Sequence, residues 1–328
     1  MATAEQIKSL IQSHFMGSDE RFATIALQIA AHEARAGRMN VAEEIKQTID
    51  RSKSKTRILN PLQKDLQGLL IESSSEKKMN ELVISEEINK RLERILTEYK
   101  QRHKLQKFGL SHRRKILLAG PPGTGKTMTA SVLANEMHLP LFTVSMDKMV
   151  TKYMGETGAK LRLIFDAIRE RSGIYLFDEF DAIGAERGNE NEVGEMRRVL
   201  NAFLQFIEND FSESLIIAAT NNLSVLDPAL FRRFDDVIYF KNPDKTEATL
   251  LLKNLLGSFI GTIKPETIAK EIEGLSHAEI SLGCIDAIKD AILADKEVVD
   301  KKTLLSMIQD RHHIHSKTNL NGQTDPIS

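Results

Sequence analysis

The sequence predicts a three-layer α/β fold, in which a parallel sheet lies between two layers of helices, with a small helical domain before it and a helical lid after it. Three observations predict this fold. Short apolar runs alternate with helical patterns, a glycine-rich octapeptide joins one such run to a helix, and two adjacent carboxylates end another run. Alternating strands and helices are typical of a parallel sheet, whose ligands bind at the carboxyl ends of the strands.

Composition limits the possible partners. The chain has 328 residues and 41% hydrophobic content, enough for about two or three domains with cores of their own. The formal net charge of −1 gives no overall attraction toward nucleic acid or a membrane surface. Residues 1–5 lack the basic and apolar parts of a signal peptide, and the longest apolar runs are far shorter than a membrane span. We therefore expect a cytoplasmic protein with no membrane contact, and the composition gives no support to a nucleic-acid partner.

The first part of the chain predicts a separate helical domain. Three amphipathic patterns with capping residues, the third capped by Asn40, occupy residues 1–52. This stretch carries no catalytic motif, so we expect it to recruit partners. The Ser- and Lys-rich residues 53–79 predict a linker, with one ordered piece around residues 62–71.

The remaining elements are assigned from hydrophobic period. The nucleotide-binding domain is predicted at 80–243, with strands at 82–84, 116–119, 141–144, 174–177 and 215–219 and helices at 86–104, 128–137, 161–171 and 193–208. The lid is predicted at 244–315, with helices at 245–258, 265–272, 276–294 and 301–312 and with Cys284 as a packing residue. Residues 316–328 are polar and are expected to be a disordered tail.

The octapeptide Gly-Pro-Pro-Gly-Thr-Gly-Lys-Thr at 120–127 predicts the binding of a nucleoside triphosphate. Its glycines let successive backbone N–H groups point at phosphate oxygens, and the following helix adds its positive N-terminal end. Lys126 is expected to reach the β- and γ-phosphates of ATP, and the Thr127 hydroxyl is expected to ligate Mg²⁺. The nucleotide-binding residues predicted here are Pro122, Gly123, Thr124, Gly125, Lys126, Thr127 and Met128.

The carboxylates Asp178 and Glu179 follow the apolar strand at 174–177. Placing charge at the end of a buried strand is costly, which favours a metal and a reaction at this point. Asp178 is, after Thr127, the second residue that is predicted to ligate Mg²⁺, and it is also assigned to cofactor binding. Glu179 is expected to polarise the attacking water.

Four ordered motifs resemble the AAA ATPases in the strict sense, the group that includes katanin, spastin and the AAA proteasomal subunits. The motifs are 120–127, Asp178-Glu179, 219–222 and 226–235, and the likeness covers roughly 80–295. The resemblance implies that Asn221 helps Glu179 orient the water. It also implies that Arg232 and Arg233 act as arginine fingers on the nucleotide of a neighbouring subunit. Fingers supplied in trans require a homo-oligomeric ring, for which a hexamer is expected.

Two further segments resemble functional parts of this family. Lys152, Tyr153 and Met154 resemble the first pore loop, in which an aromatic side chain can grip a threaded polypeptide by apolar contact. The expected substrate is therefore a protein client. Residues 274–280 resemble the lid stretch near the nucleotide base, so His277 and Ala278 are assigned to nucleotide binding. Because His277 replaces the usual Gly, contacts on the adenine side are expected to differ.

The sequence thus predicts an ATP-hydrolysing ring that remodels or threads a protein client. One alternative is a nucleotide-dependent switch or scaffold that regulates a separately encoded partner. The N-terminal residues 21–22 and 31–35 resemble bacterial ATPases encoded beside a subtilisin-like protease, including pairs implicated in phage defence. A nucleic-acid motor is a third, less favoured alternative, because the chain lacks a basic face.

Overall fold

The computed structural model describes residues 8–9, 13, 19–35, 37–53, 66, 68–149, 156–184, 190–223 and 228–320. The chain divides into two compact units, Met1–Lys64 and Asp65–Ser328. In the first unit, helices α1 (Asp19–Arg35) and α2 (Met39–Lys53) pack against each other. The turn between them is fixed by an ion pair of Arg38 Nε with Glu33 Oε2 at 2.5 Å, and this hydrogen bond lowers the pKa of Glu33 to about 2.

The start of helix α2 differs from the sequence prediction. Helix α2 begins at Met39, so Asn40 lies inside the first turn and is not the N-cap that the pattern predicted. Most of the predicted first helix lies outside the described residues.

The second unit contains one six-stranded sheet with the strand order β1-β3-β4-β5-β2-β6. The strands are β1 (Leu70–Ser73), β2 (Lys115–Ala119), β3 (Leu141–Val144), β4 (Ile174–Phe177), β5 (Leu215–Thr220) and β6 (Asp236–Tyr239). All neighbouring strands pair in parallel except β1, which pairs with β3 in antiparallel register. The fold class predicted from the sequence is confirmed, with one antiparallel edge strand added.

Helices cover the sheet on both faces. They are α3 (Glu86–Lys100), α4 (Arg102–Gln106), α5 (Lys126–Met137), α6 (Met146–Met149), α7 (Glu156–Glu170), α8 (Asp181–Gly184), α9 (Glu190–Glu208) and α10 (Pro228–Phe231). Alternate residues of each strand point to opposite faces. Leu117 and Ile216 therefore pack with α7 and α9 on one face, while Ile116 and Ile217 pack with α3 and α5 on the other.

The predicted strand at residues 82–84 is wrong. A 3₁₀ turn at Met79–Glu81 is followed by extended chain that pairs with no described strand. Leu82 packs into the core under α3 and α5, whereas Val83 packs into the core of the lid. The residues of this run therefore pack into two different hydrophobic cores. This packing explains why the run is apolar although it forms no strand.

The lid consists of α11 (Lys245–Leu256), a 3₁₀ turn (Gly257–Ile260), α12 (Pro265–Glu271), α13 (His277–Leu293) and α14 (Lys301–Leu320). Cys284 is fully buried in its core, and this burial raises the pKa of the thiol to about 12, as a packing residue requires. The tail predicted from Ser316 starts too early, since α14 continues to Leu320, and the rest of the tail lies outside the described residues. Among the helices that the structure describes, none is long and apolar enough to cross a membrane.

Candidate functional site

The glycine-rich loop follows the buried strand β2 and has little space for side chains. Gly120 has φ +147°, and a Cβ there would lie 2.3 Å from the Phe240 carbonyl oxygen at the end of β6. Gly125 caps the N-terminus of α5 in the left-handed conformation. The Thr124 side chain is buried and donates from Oγ1 to the Pro121 carbonyl at 2.8 Å. These contacts hold the loop in a compact curve at the carboxyl end of β2.

Lys126 lies at the centre of this curve. Its Nζ donates to the carbonyl oxygens of Gly120 at 2.7 Å and Pro121 at 2.8 Å and to Asn221 Oδ1 at 2.9 Å. An ammonium group has three donors, so its hydrogen bonds are complete. Burial lowers the pKa of Lys126, and the carboxylates of Asp178 and Asp181 oppose that change. The loop thus holds a buried ammonium group, directed by loop carbonyls, beside the main-chain N–H groups that can receive phosphate.

Thr127 and Asp178 bring two side-chain oxygens together. The Thr127 hydroxyl donates to Asp178 Oδ2 at 2.7 Å, although the two residues lie on α5 and at the end of β4. Mg²⁺ prefers oxygen ligands and is commonly held by one or two carboxylates together with substrate phosphates. The described residues contain no group of three or more His, Cys, Asp or Glu side chains placed for a metal. This pair therefore fits Mg²⁺ bound jointly with a nucleotide.

Glu179 adopts an unusual backbone conformation. Its φ is +52°, a region that costs a non-glycine residue about 1–3 kcal/mol and is often used at functional sites. The next residue, Phe180, is fully buried, and its N–H donates to the Ala219 carbonyl of β5 at 2.8 Å. Because Asp178 and Phe180 are both held, Glu179 is turned outward and its side chain is exposed next to Asp178.

The ends of β4 and β5 are joined by a residue to which the sequence analysis gave no role. Asp181 Oδ1 accepts from Thr220 Oγ1 at 3.1 Å and from the Asn221 N–H at 3.2 Å. Asn221 is thereby held with its Oδ1 on Lys126. The signal in the sequence was the third carboxylate of the run 178–181, but its partner lies on another strand, which no local pattern reveals.

The lid contacts the loop directly. The N–H of Ala278 donates to the Gly123 carbonyl at 3.0 Å. Gly123 has φ +74°, and a Cβ there would lie 2.9 Å from both Ala278 Cβ and Ser276 Oγ. Ser276 caps α13 in a reciprocal pair with Glu279, which fixes the end of that helix. His277 is thus held between two residues that touch the loop.

The other predicted residues have different positions. Pro122 is exposed, and Met128 is half-buried against the core under α5. Arg232 is exposed after α10, while Arg233 Nε lies 3.7 Å from Glu208 Oε2 of α9. Lys152, Tyr153 and Met154 lie outside the described residues. A cavity of about 770 Å³ in the lid, between residues 262–267 and 296–301, contains none of the predicted site residues.

The fold and this site define a nucleotide-binding α/β protein with a phosphate loop between strand and helix. The family model for the ATPase family associated with various cellular activities (AAA) matches residues 116–242. An uncharacterized AAA family ATPase, y4kL, of Sinorhizobium fredii is 33% identical over 317 residues, which cover 94% of this chain and 96% of that protein.

Two longer relatives match over part of the chain. The ATP-dependent zinc metalloprotease FtsH of Magnetococcus marinus is 34% identical over 226 residues, or 66% of this chain and 33% of that protein. The proteasome-activating nucleotidase of Methanoculleus marisnigri is 32% identical over 246 residues, or 70% of this chain and 59% of that protein. The chain belongs to the AAA family and is an ATPase. The finer likeness to katanin and spastin stays a prediction.

The contact between loop and lid yields a test. We expect Gly123→Ala to weaken ATP binding by on the order of tenfold, because overpacking of this kind typically costs about 1–3 kcal/mol and displaces the lid from the loop. Calorimetric titration with ATP measures the effect. Gly109→Ala is the matched control, since Gly109 has φ +72° but a Cβ there meets no atom within 4 Å. Equal ATP affinities for the two variants would contradict the proposed role of the contact.

Proposed function

We propose that the protein forms a homo-oligomeric ring, with a hexamer expected, and couples ATP hydrolysis to the remodelling or threading of a protein client through a central pore. The observation that carries the catalytic part is the meeting of three strand ends, where Lys126, Asn221 and the Thr127–Asp178 pair converge. The names of the two longer relatives, a proteasome-activating nucleotidase and an ATP-dependent protease, support a protein client. The pore-loop pattern at Lys152-Tyr153-Met154 supports threading.

The proposed residue roles follow from the chemistry of the site. Lys126 exchanges the loop carbonyls for phosphate oxygens of ATP, and the loop N–H groups orient the phosphates in line for attack. Thr127 and Asp178 would hold Mg²⁺, which would supply neutralisation of the phosphate charge. Glu179 polarises the attacking water, and Asn221 orients that water through its neutral amide.

Glu179→Gln separates binding from hydrolysis. The variant should bind ATP as the wild type does but should lose nearly all turnover, because an amide cannot accept the proton while Lys126, Thr127 and Asp178 remain. Calorimetry gives the affinity, and phosphate release gives the rate. Wild-type turnover in Glu179→Gln would exclude the base role. A partner-dependent activity that survives the loss of turnover would instead favour the switch or scaffold, for which a separately encoded subtilisin-like protease is the candidate partner.

We propose a ring because an arginine finger that acts on the nucleotide of another subunit requires that the two subunits be neighbours. Arg232 is exposed, and its planar, permanently charged guanidinium suits the charge that develops on a transferring phosphoryl group. Arg233 follows it and contacts Glu208, so we assign the two residues a shared role with Arg232 nearer the neighbour. This assignment makes the site of each subunit incomplete without the next subunit.

Arg232→Ala should lower turnover by about 10³-fold without weakening ATP binding to the subunit that carries it, because the finger acts on a neighbour's nucleotide. Mixing Arg232→Ala with Lys126→Ala should restore part of the activity, since an intact phosphate loop then meets an intact finger at some interfaces. Phosphate release from the mixture is compared with that of each variant alone. Mixed assemblies, verified by light scattering, that recover no activity would refute action in trans.

Tyr153→Ala should uncouple hydrolysis from work on a client. Its basal ATP hydrolysis should stay close to that of the wild type, whereas stimulation by an unfolded protein such as casein should disappear, because the aromatic grip is lost. Phe108→Ala is the matched control, since Phe108 is an exposed aromatic elsewhere on the unit. If casein stimulates Tyr153→Ala as strongly as the control, the pore-loop assignment fails.

The helices of Met1–Lys64 are proposed to recruit the client or partner. They form a compact unit of their own and carry no catalytic motif. Binding a client beside the ring raises its effective concentration at the pore without any new catalytic contact. This role is compatible with either the threading machine or the partner-regulating switch.

A further inference from the structure

The segment that carries Arg232 and Arg233, residues 230–235, lies at the amino end of β6 and is called the finger segment below. Leu230 before the two arginines and Phe234 after them are buried in the core on the α7 and α9 side of the sheet. Strand β6 starts directly after the segment and runs parallel to β2. The phosphate loop leaves the other end of β2, whose 5 residues span about 16 Å. The finger segment therefore lies at the end of the sheet away from the phosphate loop of its own subunit.

Asp235 joins the end of the finger segment to β2. Its Oδ2 accepts hydrogen bonds from the N–H groups of Arg114 at 2.9 Å and of Lys115 at 3.0 Å. In the opposite direction, the N–H of Asp235 donates to the Lys115 carbonyl at 2.8 Å. Hydrogen bonds to a carboxylate are roughly twice as strong as those between neutral groups. One residue thus connects the chain after the arginines to the start of β2 by three hydrogen bonds.

Arg114, one of the partners of Asp235, is itself held in place. Its buried guanidinium binds both the carboxylate and the carbonyl oxygen of Asp210, which is fully buried. Asp210 follows α9, and Glu208, the last residue of that helix, lies with Oε2 3.7 Å from Arg233 Nε. The finger segment is therefore connected to the end of α9 by two routes, through Glu208 and through Asp235. Two fixed connections leave the segment little freedom to shift.

We infer that Asp235 is a positioning residue for the arginine finger. This inference rests on the proposed action of Arg232 on the nucleotide of a neighbouring subunit. Asp235 acts through the backbone of β2 and keeps Arg232 at a fixed place relative to the sheet. A catalytic group that is misplaced by about 1 Å can lower a rate by about 10²-fold, so the position of the finger segment matters for hydrolysis. Asp235 thus serves the neighbour's site, although it bonds to the strand that leads to its own phosphate loop.

Three substitutions of Asp235 test this role. Asp235→Ala removes the acceptor and should lower turnover by up to about 10²-fold, while its affinity for ATP stays that of the wild type. Asp235→Asn, whose amide oxygen can take the place of Oδ2, should keep most of the turnover. Asp235→Glu keeps the charge but displaces the acceptor by one methylene, so it should lose turnover as Asp235→Ala does, and it takes the place of that variant if Asp235→Ala does not fold. Phosphate release gives the turnover, calorimetry gives the affinity, and thermal unfolding checks the fold. Wild-type turnover in Asp235→Ala or in Asp235→Glu would overturn the inference.

Asp300→Ala is the matched control for a loss of stability. Asp300 is also exposed, and its Oδ2 likewise accepts from two consecutive N–H groups, those of Lys302 at 2.9 Å and Thr303 at 3.2 Å, but it lies in the lid. Its removal should lower the melting temperature by a similar amount and leave turnover unchanged. Equal losses of turnover in Asp300→Ala and Asp235→Ala would attribute the effect to stability and overturn the positioning role.

Mixed assemblies show which side of the interface is defective. Asp235→Ala mixed with Lys126→Ala should recover activity, because the first subunit supplies an intact phosphate loop and the second an intact finger. Asp235→Ala mixed with Arg232→Ala should recover none, since neither supplies a positioned finger. Recovery in this second mixture, or weaker ATP binding by Asp235→Ala, would locate the defect in the phosphate loop and refute the inference.

The mixture of Arg232→Ala with Lys126→Ala separates a failure of this inference from a failure of the proposed function. If that mixture recovers activity but the mixture of Asp235→Ala with Lys126→Ala does not, the positioning role of Asp235 is wrong and action in trans stands. If the mixture of Arg232→Ala with Lys126→Ala recovers nothing, action in trans fails, and the role of Asp235 fails with it.

Discussion

The buried ammonium of Lys126 is the constraint on which the rest of the site depends. A buried charge must be paired or fully hydrogen-bonded, and the partners here are two carbonyls of its own loop and one amide on a neighbouring strand. Satisfying this one group therefore fixes the curve of the loop and the distance between the ends of β2 and β5. Asp181, the first residue of α8 after β4, then holds Asn221 in place. The ends of three strands are thus connected through the ammonium group of Lys126, which is also the group that a phosphate could contact.

Two further elements, the end of β6 and the first turn of α13, pack closely against the same loop. Gly120 lies against the end of β6, and Gly123 lies against the first turn of the lid helix α13. Neither position has space for a Cβ, so a shift of the loop moves its neighbours rather than being absorbed by flexible side chains. The position of the loop and the position of the lid are thereby linked. The link needs no dedicated side chain, since the Gly123 carbonyl and the Ala278 N–H are backbone groups.

Local sequence signals predicted the central strands of the fold well and the edges of the fold poorly. The strands β2, β4 and β5 are wholly or almost wholly buried, so their apolar runs are distinct, and each is followed by a segment to which the sequence assigns a part of the candidate site. The strands β1 and β6 were missed because they are short and only partly buried. Residues 82–84 were mistaken for a strand because Leu82 and Val83 serve two different cores. Asp181 was missed because its role depends on contacts across strands.

The segment at Leu82 and Val83 connects the lid to the helices that lie beside the phosphate loop. Leu82 is packed with the helices that carry the loop, and Val83 is packed with the lid core that contains Cys284 and Ile280. A displacement of the lid must therefore move Val83 relative to Leu82, and with it the backbone group that faces His277. Because His277 and Ala278 are adjacent on α13, the same displacement alters the contact with Gly123. The surroundings of His277 and of Gly123 are thus connected to the same lid helix.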